Sequence, residues 1–550
     1  MIKNLLHKIF PILISVLSIL ILAIIFYPIL GSDFTIINES IAIPDYNLEG
    51  REIKEYGTIQ DNLIIQLLGG FKILEGFFFH HHMSFLLPVY YLDIGIDRSI
   101  HQYGILTSYF ILFASKTFFN NVSINSYIII IQSFLIIFPI SMLILGYKMF
   151  KNKYTVCLWV LFYVFTFLLL DFLNFYLTPT VSPIRQILIL FTVFFIYKVF
   201  IENKLTYLIH LYIFLILQSF VFIELSIFMI ASLIIQLFLN KKLDIYKNIQ
   251  KYNFLIFILI ISIYILFDFN SDNYFSNFNF IFLGPKLTLI DLSTVGVLIL
   301  LVMYIVSSSN SHSKYYLFIK IISNYGLFSL LYFIWNPAYN HLVPVIWPFS
   351  FLLLFFIDRY ILTENFSSTF TILLLIMIFI TSYAVKNYYY EKNIFYNSVV
   401  SYLEKNKLAI ENKINIKTTM RPEYIHDSCR LIKKYEKRKL INLISIHDSY
   451  LPFLCDRANS KFDQLIINMV NDSIKNDAYN HFLGKEIIFV DNIIENENST
   501  IYHSSYRNAL DFRIKIMAVN EARNLFKKII DNKYILLEKG KLISVYKKMN

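Results

Sequence analysis

Charge is what this chain has least of. Asp, Glu, Lys and Arg make up only 16% of its 550 residues, against about 25% in a water-soluble domain. Glycine and proline are also scarce, at 14 and 13 residues, which excludes collagen-like and low-complexity chains. The three cysteines, Cys157, Cys429 and Cys455, include no pair at the short spacing that zinc sites use. What fills the chain is apolar and aromatic: 57% hydrophobic residues, with 54 Phe and 40 Tyr. That composition describes an ordered membrane protein.

The charge is also unevenly placed. Residues 391–550 hold 27 Lys and Arg and 19 Asp and Glu, leaving 22 and 19 for the first 390. The pattern predicts an all-α polytopic membrane bundle over 1–390 and a C-terminal extramembrane α/β domain over 391–550. A net +8 on the tail, without basic-aromatic repeats, suits anionic headgroups and argues for membrane lipids and no nucleic acid as partners.

Ile9–Ser32 contains no charged residue, and its 24 residues reach roughly 36 Å at about 1.5 Å each, enough for a hydrocarbon core of about 30 Å. It is read as a retained anchor. Further apolar stretches lie near 122–147, 154–173, 184–199, 205–222, 223–239, 252–269, 287–306, 315–335, 341–357 and 368–386, which gives about eleven spans. Gly104–Phe119 is short and interrupted by Lys116. Treating it as an interfacial helix places 14 Lys and Arg (3, 8, 148, 151, 153, 198, 204, 241, 242, 247, 251, 314, 320, 359) on one side, as the positive-inside rule requires. The N-terminus is then cytoplasmic and the C-terminal domain periplasmic or extracellular. A Cys429–Cys455 disulfide is permitted in that compartment.

In the tail, Asp427–Lys439 and Ala509–Ile530 read as helices, Leu440–Ile446 and Lys485–Val490 as strands, and Tyr534–Tyr546 as a hairpin turning at Lys539-Gly540. No phosphate-cradling glycine loop follows either strand.

Chemistry is expected in the large first outer loop, 31–121. Gly31–Tyr103 carries ten acidic residues against four basic ones and four of the twelve histidines. A helix starting at Pro44 would align Asp45, Glu49 and Glu52 on one face, suited to a general base, to a divalent metal, or to a solvated first turn. Asp33, at the membrane edge, is a rival base. His80-His81-His82 ends an apolar run; in an extended segment His80 and His82 share a side, which suits a metal or a phosphate, while interfacial imidazoles are the plainer alternative. Asp93, Asp97, Arg98, His101 and Tyr103 cluster before the interfacial helix, with Gly95 and Gly104 marking turns. Arg185 is the arginine of the short outer loops and could clamp a phosphate or reach the headgroups. Glu224, at the hairpin between the fifth and sixth spans, must be paired or face a cavity. His341 follows a polar outer turn, Trp335-Asn336-Pro337-Ala338-Tyr339-Asn340.

This layout resembles the GT-C superfamily of polytopic glycosyltransferases, including bacterial mannosyl- and arabinosyl-transferases. The motif that carries the resemblance is His80–Ser84 followed by Asp97-Arg98-Ser99-Ile100-His101-Gln102-Tyr103-Gly104. The resemblance implies a GT-C-like fold, a polyprenyl-phosphate-sugar donor, and a lipid, glycan or protein acceptor. It also implies a loop-one carboxylate as base, here Asp45 or Asp33 with Asp97 next. Such families often place the base in Asp-Glu or Asp-X-Asp; neither occurs in this loop. The cofactor is therefore expected to be none or one divalent metal ion, with Asp45, Glu49, His80 and His82 as its candidate ligands. The other readings are a transporter of lipid-linked or small solutes, and an O-antigen polymerase or ligase.

Overall fold

The computed structural model describes residues 11–20, 83–96, 104–171, 183–239 apart from 203 and 205, 252–262 apart from 253, 289–335 apart from 310 and 312, 339–361, 422–445, 450–461, 472–495, 509–531 and 534–549. It is mostly helical, with its strands confined to the C-terminal residues. The chain divides into two compact units. The first takes Met1–Leu30, His101–Asn270 and Pro285–Ser401, and the second takes Gly31–Ile100, Ser271–Gly284 and Tyr402–Asn550. The described residues 83–96 fall in the second unit together with the C-terminal residues.

In chain order the helices are α1 (Pro11–Leu20), α2 (Met83–Ile94), α3 (Ile105–Phe119), α4 (Ile124–Met149), α5 (Lys153–Asp171), α6 (Ile187–Phe200), α7 (Tyr207–Ser219), α8 (Ile223–Leu239), α9 (Leu289–Ser308), α10 (Tyr316–Trp335) and α11 (Tyr339–Phe356). Apart from α2, these belong to the first unit.

Eleven full crossings are not what the described residues provide. Two stretches, Ile129–Met149 and Tyr316–Ile334, are long and apolar enough to cross a membrane, and eight other apolar helices run to 10–17 residues. Some helices break before the apolar run does. Pro183–Arg185 forms a 3-10 turn ahead of α6, and α7 stops at Ser219. The expected span at 368–386, and residues 263–269 of the one expected at 252–269, lie outside the described residues.

The first unit has two recognisable ends. At one, the π-helical turn Ile357–Ile361 after α11 supplies Asp358 and Arg359. Asp358 accepts the backbone N–H groups of Lys151 (2.7 Å) and Asn152 (2.8 Å) and the Thr155 hydroxyl (3.2 Å). Arg359 donates to the Met149 carbonyl (2.5 Å), the Tyr197 hydroxyl (3.3 Å) and the Tyr315 hydroxyl (3.2 Å). One acid–base pair therefore gathers the end of α4, the start of α5, the end of α6, the start of α10 and the end of α11.

The opposite end is built around the α7–α8 turn, where the Phe222 N–H donates to the Gln218 carbonyl (2.7 Å) and the Ser226 hydroxyl reaches back to the Leu215 carbonyl (2.7 Å). Gly104, with φ +97°, leads into α3 there, and the Leu106 N–H donates to the Phe220 carbonyl (3.1 Å). A Cβ on Gly104 would lie 2.5 Å from that oxygen. The helix ends at Asn120 in the left-handed region (φ 64°), and Ser123 then caps α4 through the Ser126 N–H. Both ends of α3 thus stay away from Arg359. Its outward face is aromatic, with Tyr109, Phe110, Phe113 and Phe118 exposed, while Thr107, Ser108, Ala114 and Ser115 are buried. That polarity is inverted relative to a helix on a water-soluble protein.

The C-terminal part of the second unit is an α/β domain. It contains α12 (Pro422–Tyr435), β1 (Leu440–Ile441), β2 (Leu443–Ile444), α13 (Tyr450–Leu454), β3 (Ala458–Asn459), α14 (Asp472–Leu483), β4 (Ile487–Asp491), α15 (Asn492–Glu495), α16 (Ala509–Ile530), β5 (Tyr534–Lys539) and β6 (Ile543–Lys548). The main sheet has the order β2-β4-β6-β5, with β2 parallel to β4 and the other pairs antiparallel; β1 pairs with β3 alone. Phe482, Ile488, Val490, Leu525, Ile529 and Tyr534 belong to one core cluster. Cys429 and Cys455 form a disulfide that ties α12 to the segment just after α13.

Candidate functional site

A buried polar centre of the helical unit sits at the α7–α8 end. Proline at 183 opens the 3-10 turn that delivers Arg185. Its side chain does not snorkel outward, because the residue is only 3% exposed. The guanidinium carbon lies 3.5 Å from the centroid of the Phe222 ring. Gln218, fully buried, donates from Nε2 to the Arg185 carbonyl (2.9 Å). The Tyr332 hydroxyl, from the last turn of α10, is hydrogen-bonded to Arg185 and lies within electrostatic range of Glu224 in the first turn of α8.

A guanidinium stays charged even when desolvated. Stacking on an aromatic face offsets part of that cost. The arrangement therefore keeps a permanent cation in a low-dielectric setting, where its attraction for an anion is far larger than in water. Sequence reading singled out Arg185 and Glu224, and both lie within electrostatic range of Tyr332. It missed Gln218, Phe222 and Tyr332, although a glutamine inside the apolar run Leu205–Asn240 was a visible signal.

Asp93 lies half-buried in the last turn of α2. Gly95 (φ +71°) ends that helix, and the Ile96 N–H donates to the Tyr91 carbonyl (2.9 Å), the closing bond of a left-handed C-cap. Next to Asp93, burial and then the charge of Asp456 push the Tyr90 phenol up to about 12, with Arg457 pulling the other way. His341 falls in the first turn of α11, and its side chain lies outside the described residues. Asp33, Asp45, Glu49, His80, His81, His82, Asp97, Arg98, His101 and Tyr103 also lie outside them. Among the described residues no group of three or more His, Cys, Asp or Glu side chains is placed to hold a metal ion. The expected ligands Asp45, Glu49, His80 and His82 are not among those residues.

One pair in the C-terminal domain has the look of a nucleophile and its base. Ser460 Oγ lies 2.8 Å from His481 Nε2. Asn442 fixes the roles: its Nδ2 donates to the Ile487 carbonyl (3.1 Å), so its Oδ1 accepts the Ser460 proton (2.6 Å). A hydroxyl has one proton to give. His481 must then donate to Ser460, which makes the trio a structural link between β2, β3 and α14.

No protein-family model matches this chain, and comparison with curated proteins finds no match.

Proposed function

We propose that the chain is a multi-pass membrane glycosyltransferase of GT-C-like architecture. It moves a sugar from a polyprenyl-phosphate donor to a lipid, glycan or protein acceptor on the outer face of the plasma membrane. The observation that carries this reading is the buried Arg185, stacked on Phe222 and bonded to Tyr332, at the opposite end of the unit from Arg359. A fixed cation there suits the phosphate of a lipid-linked donor.

Two further features support the orientation. The Cys429–Cys455 bond belongs to an oxidising compartment, outside the cytoplasm. Lys151, Lys153, Lys198, Lys204 and Lys314 follow or precede the helix ends gathered by Asp358 and Arg359, as a cytoplasmic side would.

In the reaction, the bond between sugar C1 and the phosphate oxygen breaks as the acceptor oxygen bonds to C1 with inversion. Arg185 holds the departing phosphate, and a loop-one carboxylate, Asp45 or Asp33 with Asp97 next, takes the acceptor proton.

The test is transfer from radiolabelled polyprenyl-phosphate sugars by purified protein in lipid nanodiscs. Transfer to a lipid or glycan acceptor is expected in the parent. Asp45→Asn or Asp33→Asn should abolish it while membrane insertion is retained. Export of the intact lipid-linked sugar, polymerisation alone, or full activity in both variants would overturn the assignment.

A further inference from the structure

Helix α2 is built as a core helix. Phe85, Leu86, Leu87, Val89, Tyr90 and Tyr91 are all buried, so apolar side chains cover every side of it and it needs neighbours all round. The C-terminal domain provides some of them. Phe453 of α13 packs edge-on to Tyr90 with centroids 5.0 Å apart, and Lys439 Nζ donates to the Ile94 carbonyl (3.2 Å). Asp456 and Arg457 act on the Tyr90 phenol.

The segment that supplies these contacts has little regular structure of its own. Helix α13 has five residues, and Asp456 adopts a left-handed conformation at φ 57°. The segment is held by the bond from Cys455 to Cys429 in α12, by the buried Leu451, and by the pairing of β3 with β1 that follows it. In turn α12 is latched to the β5–β6 hairpin: Asp427 accepts the Lys541 N–H (2.7 Å), and Arg430 and Tyr435 donate to Glu538 (3.0 and 2.8 Å). Hairpin, α12, disulfide, α13 and α2 form one mechanical series.

In sequence, α2 is bracketed by His80-His81-His82 and by Asp97-Arg98. We infer that Phe453 and the Cys429–Cys455 bond are positioning elements for the first outer loop: the C-terminal domain serves the reaction by clamping α2, and the clamp requires the oxidised cysteines. The link to catalysis rests on the glycosyltransferase reading, whereas the clamp stands without it. A cross-link across 26 residues restricts the unfolded segment and so favours the docked arrangement.

The experiment is hydrogen exchange and sugar transfer on the full chain in nanodiscs. It compares the oxidised protein, the protein after reduction, Cys429→Ser/Cys455→Ser, Phe453→Ala and Phe453→Tyr. Opening the bond or removing the ring should speed exchange across 83–96 by about tenfold or more, with β4 and β6 protected as before. The kcat for transfer should fall by about tenfold while donor KM stays within about twofold, and Phe453→Tyr should restore both.

Unchanged exchange in 83–96 after verified reduction would overturn the clamp, and looser exchange with unchanged kcat would overturn its positioning role. Should the double serine variant also expose β4 and β6, Phe453→Ala, which leaves the disulfide intact, decides the matter. A parent protein with no transfer activity would sink the glycosyltransferase reading, and the exchange data would still decide the clamp.

Discussion

The carboxylate of Asp358 accepts the backbone N–H of Lys151 at 2.7 Å across 207 residues of sequence. Its side chain is fully buried, with Arg359 Nε 3.4 Å away. Removing the carboxylate strands the Lys151 and Asn152 N–H groups and leaves Arg359 without its nearest acid. Asp358→Ala should therefore cost about 3–5 kcal/mol, and Asp358→Asn, which keeps one acceptor, about 1–3 kcal/mol. Thermal unfolding in detergent measures both, and an alanine variant as stable as the parent would contradict the role given to Asp358.

Arg185 should not be replaceable by lysine. An ammonium cannot reproduce a fork that stacks on Phe222 and bonds Tyr332 together. We expect Arg185→Ala to slow transfer by about 100-fold or more, in the range of other lost oxyanion donors, and Arg185→Lys to recover no more than about tenfold of that. Initial rates at saturating donor decide it, and a lysine variant at full rate would refute the assignment.

The two left-handed glycines should respond differently to alanine. At Gly95 a Cβ meets nothing within 4 Å, so Gly95→Ala carries only the backbone cost of about 1–2 kcal/mol. At Gly104 the Cβ would strike the Phe220 and Val221 carbonyl oxygens at 2.5 and 2.6 Å. Gly104→Ala should then detach the start of α3 from the α7–α8 turn. Faster exchange at 105–108 in this variant alone is the expected result, and equal behaviour of the two would count against it.

Acid should release the latch on the β5–β6 hairpin. Lys434, then Tyr435 and Arg430, hold the Glu538 carboxyl down at about 2 from an ordinary 4.5. A depressed acid contributes stability that is fully present above its unfolded value and is lost as pH falls through the folded one. As pH falls from 4.5 to about 2, protection of 534–548, taken relative to the intrinsic exchange rate at each pH, should therefore fall in the parent, and Glu538→Gln should flatten that dependence. An identical pH profile for both proteins would rule the latch out.

Much of the local structure was legible in the sequence because its causes are local. Glycines at 95 and 104 announced turns, and both have positive φ. The helix expected at Ala509–Ile530 is found with those bounds, and the hairpin turns at Lys539-Gly540 as expected. The strand expected over Leu440–Ile446 instead splits at Asn442, because β1 pairs with β3 and β2 with β4. That division depends on partners distant in sequence, which no local pattern reveals.

The Asp358–Arg359 knot escaped notice for the same reason. Its partners Met149, Lys151, Tyr197 and Tyr315 are 44–210 residues away. Arg185 was legible as a residue worth naming, but its burial was not, since it depends on how the α7–α8 turn folds over it.

Helices α6 and α7 have 14 and 13 residues, or roughly 20 Å each at about 1.5 Å per residue. If their Arg359-side ends sit at one boundary of a bilayer, the turn carrying Phe222 stops about 10 Å short of the other boundary of a core about 30 Å thick. The lipid must thin over that sector, or water must enter a vestibule above it. Either way an anionic headgroup would be drawn below its usual level to meet Arg185, and bilayer thickness becomes a variable that sets how easily a lipid phosphate reaches it.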